Sequence, residues 1–414
     1  MQPFNSAWRP NAYMVYMGMR ATSAFAFSLV ITYELVYHTI DVGLNPLQLV
    51  TVGVVLECMT FFFEIPTGVV ADLYSRRLSV LIGLALMGVG FLVEGLVATF
   101  AAVLAAQVLW GIGFTFYSGA ESAWISDEIG EARAGQAFLR AAQIGQISTL
   151  AGVGVAALLV NGGANRPLVA GALIYIALTI ILLWVMGESG FQPAQRDEWS
   201  IRRAMLLPLQ ESIQLVRVRP VLFIILLIGV VIGLCLGGFD RLNAAHFTQD
   251  FALPALGPLE PVAWFSMMSG AIGVLSLGGA ELVRRRLDLT RHIVIVRLLT
   301  GLYSGMLVCM LVFALAHWFW AALICFCVSQ ALRNTGRPIL IIWINQHAEP
   351  RNRATLISLY WQSNALGQIV GSPIIGWIGA AFSLRAALAT GALVYGLVLP
   401  LLRRAGQAST SHVQ

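Results

Sequence analysis

A chain of 414 residues that is 58% hydrophobic and only 11% charged is not a water-soluble globule, whose charged share is about 25%. All 25 basic residues are arginine, which excludes Schiff-base, titrating and phosphate-loop lysines. The net charge of +5 does not mark a nucleic-acid binder, because the arginines gather in alternate loops between apolar segments.

The segments themselves come in two groups of six. About 20 helical residues cross ~30 Å of hydrocarbon, and the predicted spans are 13–38, 46–72, 78–99, 102–128, 138–161 and 167–187, then 220–247, 261–283, 292–316, 319–345, 354–379 and 384–403. The first contains Arg20 and Glu34 and lacks a small-residue cleavage site, so it reads as a retained span and not a signal peptide. The polar stretch Glu188–Pro220 separates the groups. The expected domains are therefore a bundle over 1–187, a linker over 188–219, and a bundle with a short tail over 220–414. Two sets of six point to a carrier, since carriers are built from repeats that rock about a site at the membrane midplane. The fold class is all-α and membrane-integral, with two pseudo-symmetric six-helix bundles.

Orientation follows from arginine. With a cytoplasmic N-terminus, the inner loops and tails hold Arg76, Arg77, Arg133, Arg202, Arg203, Arg284 to Arg286, Arg403 and Arg404 among others, while the outer loops hold Arg166 and Arg385. Both termini are expected inside a bacterial inner membrane. Within the linker, Ile201, Met205, Leu209, Ile213 and Val216 recur at helical spacing, with arginines off that stripe. They form either an amphipathic helix on anionic lipid headgroups, interrupted at Pro208, or a simple tether.

Internal similarity supports a duplication. Asp72-Leu-Tyr-Ser-Arg-Arg77 ends the second span and Glu281-Leu-Val-Arg-Arg-Arg286 the eighth; Trp124-Ile near the end of span four matches Trp343-Ile in span ten. Gly68 and Asp72 lie one turn apart, where glycine admits a close neighbour and the acid can meet a helix N-terminus. Arg76 can then hold a second acid, the nearest candidates being Asp127 and Glu128.

The stretch Glu64-Ile-Pro-Thr-Gly-Val-Val-Ala-Asp-Leu-Tyr-Ser-Arg-Arg77 resembles the motif between the second and third helices of the major facilitator superfamily, Gly-x-x-x-Asp-Arg-x-Gly-Arg-Arg. Gly68, Asp72, Arg76 and Arg77 match; Leu73 stands for the first Arg and Ser75 for the second Gly. The resemblance implies the twelve-helix carrier fold over the whole chain. It also implies that Gly68, Asp72, Arg76, Arg77 and Asp127 form a latch holding the halves in one open state; the alternative is a topogenic arginine pair with a capping aspartate. The drug–proton antiporter branch is the most similar. Where that branch carries Arg four residues before a Gly in helix four, this chain has Gln107 before Gly111, and its fifth span has Gly145, Gly152 and Gly154 without the branch's Gly-Pro pair.

Charges inside hydrocarbon cost at least ~2.5 kcal/mol on insertion scales and so mark cavities or partners. In span one, Arg20, Phe27 and Glu34 share a face. The two charges lie ~21 Å apart along the helix, too far to pair with each other. In span four, Gln107, Phe114, Ser118 and Glu121 share a face; Glu57 lies in span two, Asp240 in span seven, and Arg333 with Asn334 in span ten. The six histidines fall at or beyond span ends, which leaves carboxylates as the expected proton carriers: Glu121 first, then Glu34, Glu57 and Asp240. The alternative is that these acids pair permanently with Arg20, Arg333 and Arg337. Arg20, Phe114, Ser118, Arg333 and Asn334 are the substrate-binding candidates, and the aromatic residues Phe116, Tyr117, Trp343, Tyr360 and Trp361 can add an adaptable apolar surface.

No Walker loop, zinc spacing or nucleophile–base pair is visible, so an enzyme is not expected. The five cysteines all sit in apolar segments and read as packing residues. The expected activity is secondary transport by alternating access, driven by a proton gradient with no bound cofactor or metal, exporting small amphiphilic compounds as a monomer among membrane lipids. Carriage of a polar or anionic metabolite is the alternative.

Overall fold

Short polar side chains set where the helices start. In the computed structural model, Asn11 accepts from the Tyr13 N–H, Ser75 from Leu78 and Thr99 from Ala102, each satisfying a donor that a first turn leaves free. Gly130, at φ 82°, ends the fourth helix and starts the fifth. That is a left-handed region which a side chain disfavours.

The structure describes residues 11–191, 216, 220–256, 263–286, 292–347 and 353–410. Its helices are α1 (Ala12–Ile40), α2 (Pro46–Leu73), α3 (Arg76–Leu96), α4 (Phe100–Ile129), α5 (Glu131–Leu159), α6 (Asn165–Val185), α7 (Pro220–Gln249), α8 (Trp264–Arg286), α9 (His292–Leu315), α10 (Phe319–His347), α11 (Arg353–Ala381), α12 (Leu384–Tyr395) and α13 (Val398–Thr410). The fold is all-α, as the sequence leads one to expect. Among the described residues, ten helical stretches are long and apolar enough to cross a membrane by length and composition. α10 and α11 fall short of that measure; α10 carries Arg333, Asn334 and Arg337, and α11 carries Ser363, Asn364 and Gln368.

The predicted last span, 384–403, is broken in the structure. Pro400 has no N–H to give the Gly396 carbonyl, and its ring crowds that carbonyl. The chain answers with tight turns: the Leu397 N–H donates to Val394 O and the Leu399 N–H to Gly396 O. α12 and α13 are thus two parts of one span. The predicted amphipathic helix of the linker lies outside the described residues, apart from Val216.

The described residues cluster into two compact units. One takes those within Met1–Gly43, Val55–Arg196 and Ala255–Ser266; the other takes those within Leu44–Val54, Asp197–Pro254 and Met267–Gln414. Inside the first, α1 packs on α5 and α6, and α3 packs on α4 and α6. Inside the second, α7 packs on α11 and α12, and α9 packs on α10 and α12. Adding six to each number in the first list gives the second, which is the mark of an internal repeat.

Glycines permit the closest of these approaches. A methyl built on Gly83 would lie 2.7 Å from the Gly113 carbonyl, and one on Gly113 would lie 2.8 Å from the Gly83 carbonyl, so α3 and α4 cross with their backbones in contact. Gly233 and Gly367 permit an equally close crossing of α7 with α11, each facing the other helix's backbone. Gly113→Ala is therefore expected to lower stability by about 1–3 kcal/mol through overpacking, despite alanine's better helix propensity. Gly154→Ala, where nothing lies within 4 Å, should be neutral or stabilising. Thermal unfolding midpoints in detergent compare the two.

Candidate functional site

In the first unit the polar side chains of α1 and α4 meet in pairs. Arg20 Nη1 donates to Glu121 Oε1 at 3.1 Å, and the Tyr117 hydroxyl reaches Glu121 Oε2 at 3.5 Å. Two helical repeats of seven further along α1, Glu34 Oε1 accepts from Gln107 Nε2 at 2.9 Å. Between the two pairs the Phe27 ring lies 5.9 Å from that of Trp110. Glu34 and Gln107 are fully buried and the Glu121 side chain is 7% exposed. Each charge that the sequence places in span one thus has a partner on span four.

Glu34 belongs to a larger cluster. His38 Nε2 lies 2.6 Å from Glu94 Oε1, and the ligating atoms of Glu34, His38 and Glu94 all fall within 4.8 Å of one another with every residue buried. The Tyr37 hydroxyl donates to the Glu94 carbonyl at 2.7 Å. Among the described residues, this is the group whose donors converge enough to reach one cation. Two tetrahedral ligands at ~2.0–2.1 Å from a metal stand about 3.3 Å apart, so the 2.6 Å separation suits a hydrogen bond. Two of the histidines that the sequence places at span ends turn out to be buried inside their helices. His38 occupies the last turn of α1 and is fully buried. His246 does likewise on α7, with Nδ1 2.6 Å from Asp250 Oδ2 and Nε2 3.0 Å from the Phe313 carbonyl. Both imidazoles tie the first helix of a repeat to the third, which is why they lie inside the helix and not beyond it.

The second unit carries its own pair. Arg333 Nη1 reaches both oxygens of Asp240, at 2.7 and 2.6 Å, joining α10 to α7. These side chains line a cavity of about 40 Å³ with Arg337, Tyr360, Asn364 and Gln368. The Arg337 guanidinium lies 5.9 Å from the centre of the Trp361 ring. Among the described residues Arg337 has no carboxylate within ion-pair distance, so two guanidinium groups face one acid here. Asn334 points elsewhere, donating to Ser276 Oγ at 3.1 Å.

The remaining candidates are dispersed. Phe114 and Ser118 form an exposed face of α4, and Glu57 is half-buried on α2. Trp343 is fully buried and donates to His292 Nδ1 at 2.9 Å, so it packs the second unit. At the motif end of the first unit, Arg76 Nε lies 2.9 Å from Asp127 Oδ2, while Asp72 is largely exposed and 3.8 Å from Arg76 Nη2. Gly68 has open space beside it.

Arg77 brings a partner that sequence reasoning leaves in the linker. Its N–H donates to Glu188 Oε1 at 2.9 Å, and Ser75 Oγ donates to Glu188 Oε2 at 2.6 Å. Glu128 accepts from the Gly190 N–H at 2.8 Å and the Ser189 hydroxyl at 2.7 Å, and Trp124 donates to Gly187 O at 2.7 Å. Residues 187–190 therefore form a strap across the ends of α3 and α4. The adjacent acids Asp127 and Glu128 were the available signal: one faces the motif arginine and the other the strap.

The α1–α4 pair offers a direct check. Arg20→Glu strands two carboxylates together and should cost on the order of 3 kcal/mol. Adding Glu121→Arg should recover most of the loss, read as monodisperse yield and thermal midpoint.

Comparison with known proteins agrees with this architecture. The family model described as Major Facilitator Superfamily matches residues 12–360. An uncharacterized MFS-type transporter, YxaM of Bacillus subtilis (strain 168), is 22% identical over 358 residues, covering 86% of each chain. Among solved structures, the nucleoside transporter NupG aligns with a TM-score of 0.72 at 13% identity, over 96% of this chain and 99% of its own. The peptide transporter POT in complex with sulfate aligns with a TM-score of 0.70 at 15% identity, over 98% and 96%. With a family match across most of its length, a repeated six-helix pattern and a partly buried charge pair in each unit, the chain belongs to the Major Facilitator Superfamily and is a multi-pass membrane transporter, not an enzyme.

Proposed function

We propose that this transporter carries, by alternating access, a small polar solute that presents an anionic or carbonyl group beside a flat apolar part. The observation that carries this reading is the charge excess around Arg337. Asp240 satisfies Arg333, which leaves the second guanidinium beside Trp361 and a pocket with amide and phenol groups. A cavity of about 40 Å³ suits a carboxylate or carbonyl and not a whole solute, so it serves as a recognition point for one end. An uncharged amphiphile gains nothing from an unbalanced arginine. Polar solutes are also what the names of the nucleoside and peptide transporters above state. Export of an amphiphilic drug or toxic metabolite is the second reading, favoured by the exposed Phe114 and Ser118 face of α4.

Proton coupling is part of the proposal. Of the candidate acids, Glu121 and Asp240 each meet a guanidinium, which is the geometry of a standing bridge. Glu34 meets the neutral amide of Gln107 and shares its surroundings with Glu94 and His38. Two carboxyl groups and an imidazole gathered this closely can share and exchange protons, so the coupling is placed at that cluster. Asp72, Arg76, Arg77, Asp127 and Gly68 act as the latch between open states. The protein works without a cofactor, as a monomer of two six-helix bundles in a bacterial inner membrane, with both termini cytoplasmic.

Two measurements test this. Arg337→Gln should weaken binding of carboxylate-bearing solutes by roughly tenfold or more, the size of one charged hydrogen bond, and leave neutral solutes untouched; equal losses for both would remove the recognition role. In proteoliposomes, Glu34→Gln should keep solute exchange while abolishing accumulation driven by a pH gradient. Intact accumulation would move the coupling elsewhere.

A further inference from the structure

A groove of about 720 Å³ runs between α8, α9 and α10 of the second unit. Leu275 and Leu282 of α8, Leu298 and Leu302 of α9, and Ala331 of α10 make its walls and floor, and Arg286 stands at one end. Leu275 and Leu282 are 44% and 61% exposed, so this is an open slot and not a sealed core. Its polar end is specific. Glu281 holds both Arg284 and Arg285, whereas Arg286 has no carboxylate partner among the described residues and lines the groove instead. From Leu275 to Arg286 the helix rises ~16 Å, about half of a ~30 Å hydrocarbon core. The slot therefore has the length of one leaflet, mainly apolar walls over that depth, and at its end a cation that no carboxylate among the described residues neutralises.

We propose that this groove is a binding site for an anionic phospholipid, with an acyl chain along α8 and the phosphate on Arg286. Basic pockets between membrane helices hold acidic headgroups through charge, and here the adjoining slot supplies the chain contact. The site is separate from the Arg333–Asp240 cavity, which faces a different side of α10, and it stands whether or not the solute assignment holds.

The test is native mass spectrometry of the full-length protein in detergent with an equimolar mixture of a phosphatidylglycerol and a phosphatidylcholine of the same chains. Wild type should retain one phosphatidylglycerol in preference. Arg286→Gln, at an exposed position, should cut that preference about fivefold, the attraction of one arginine for an acidic headgroup, and Ala331→Phe should lower retention of both lipids. Should Ala331→Phe fail to give monodisperse protein, Leu282→Asn on the exposed wall serves in its place. Equal retention of the two lipids by wild type, an unchanged preference in Arg286→Gln, or full retention after the groove is filled would each overturn the assignment.

Discussion

A charge in hydrocarbon has to be answered by another group, and this requirement organises both halves of the molecule. α1 carries Arg20 and Glu34 fourteen residues apart, and α4 carries Gln107 and Glu121 at the same spacing. Fourteen residues are close to four turns, so each set keeps one face. Because the helices run antiparallel, matching the first residue of one set with the last of the other brings Arg20 to Glu121 and Glu34 to Gln107 together. One register satisfies both contacts. A slip of one turn would strand all four groups at once, a far larger penalty than any single apolar contact can offset. The polar residues therefore specify alignment, and the apolar ones supply bulk.

The second unit applies the same rule with the signs exchanged. The base stands on α1 in the first pair, and the acid stands on α7 in the second. The exchange is not symmetric in total charge. α10 carries Arg337 one turn beyond Arg333, and α7 offers a single acid to the two. A duplicated scaffold has thereby become neutral at one pair and positive at the other. That difference is a property of side chains on equivalent helices, and it needs no difference in backbone.

The span positions, the shared faces and the repeat were legible in the sequence because each depends on local periodicity. The partners were harder. The matched spacing of fourteen was available, but it becomes a pairing only once α1 and α4 are known to be neighbours and antiparallel. His38 and Glu94 were less legible still: they join helices whose polar residues fall at span edges, where a histidine ordinarily faces water. The break between α12 and α13 was missed because Pro400 sits near the end of an apolar run, and composition does not register a missing donor. Glu188 and Glu128 belong to the strap through backbone N–H groups, contacts that no side-chain pattern advertises.

The strap bears on how the motif arginines act. Arg77 is committed to Glu188 and the Leu183 carbonyl, while Arg76 is held by Asp127. The two adjacent arginines thus have different duties: one fastens the end of α6 to α3, the other spans from α3 to α4. Asp72 is the exposed member, 3.8 Å from Arg76, with a water-screened contact that contributes little by itself. Of the motif's charges it is the one still able to take a new partner without breaking a short bond. Glu188, by contrast, is fixed by two short hydrogen bonds and keeps the helix ends of the first unit together.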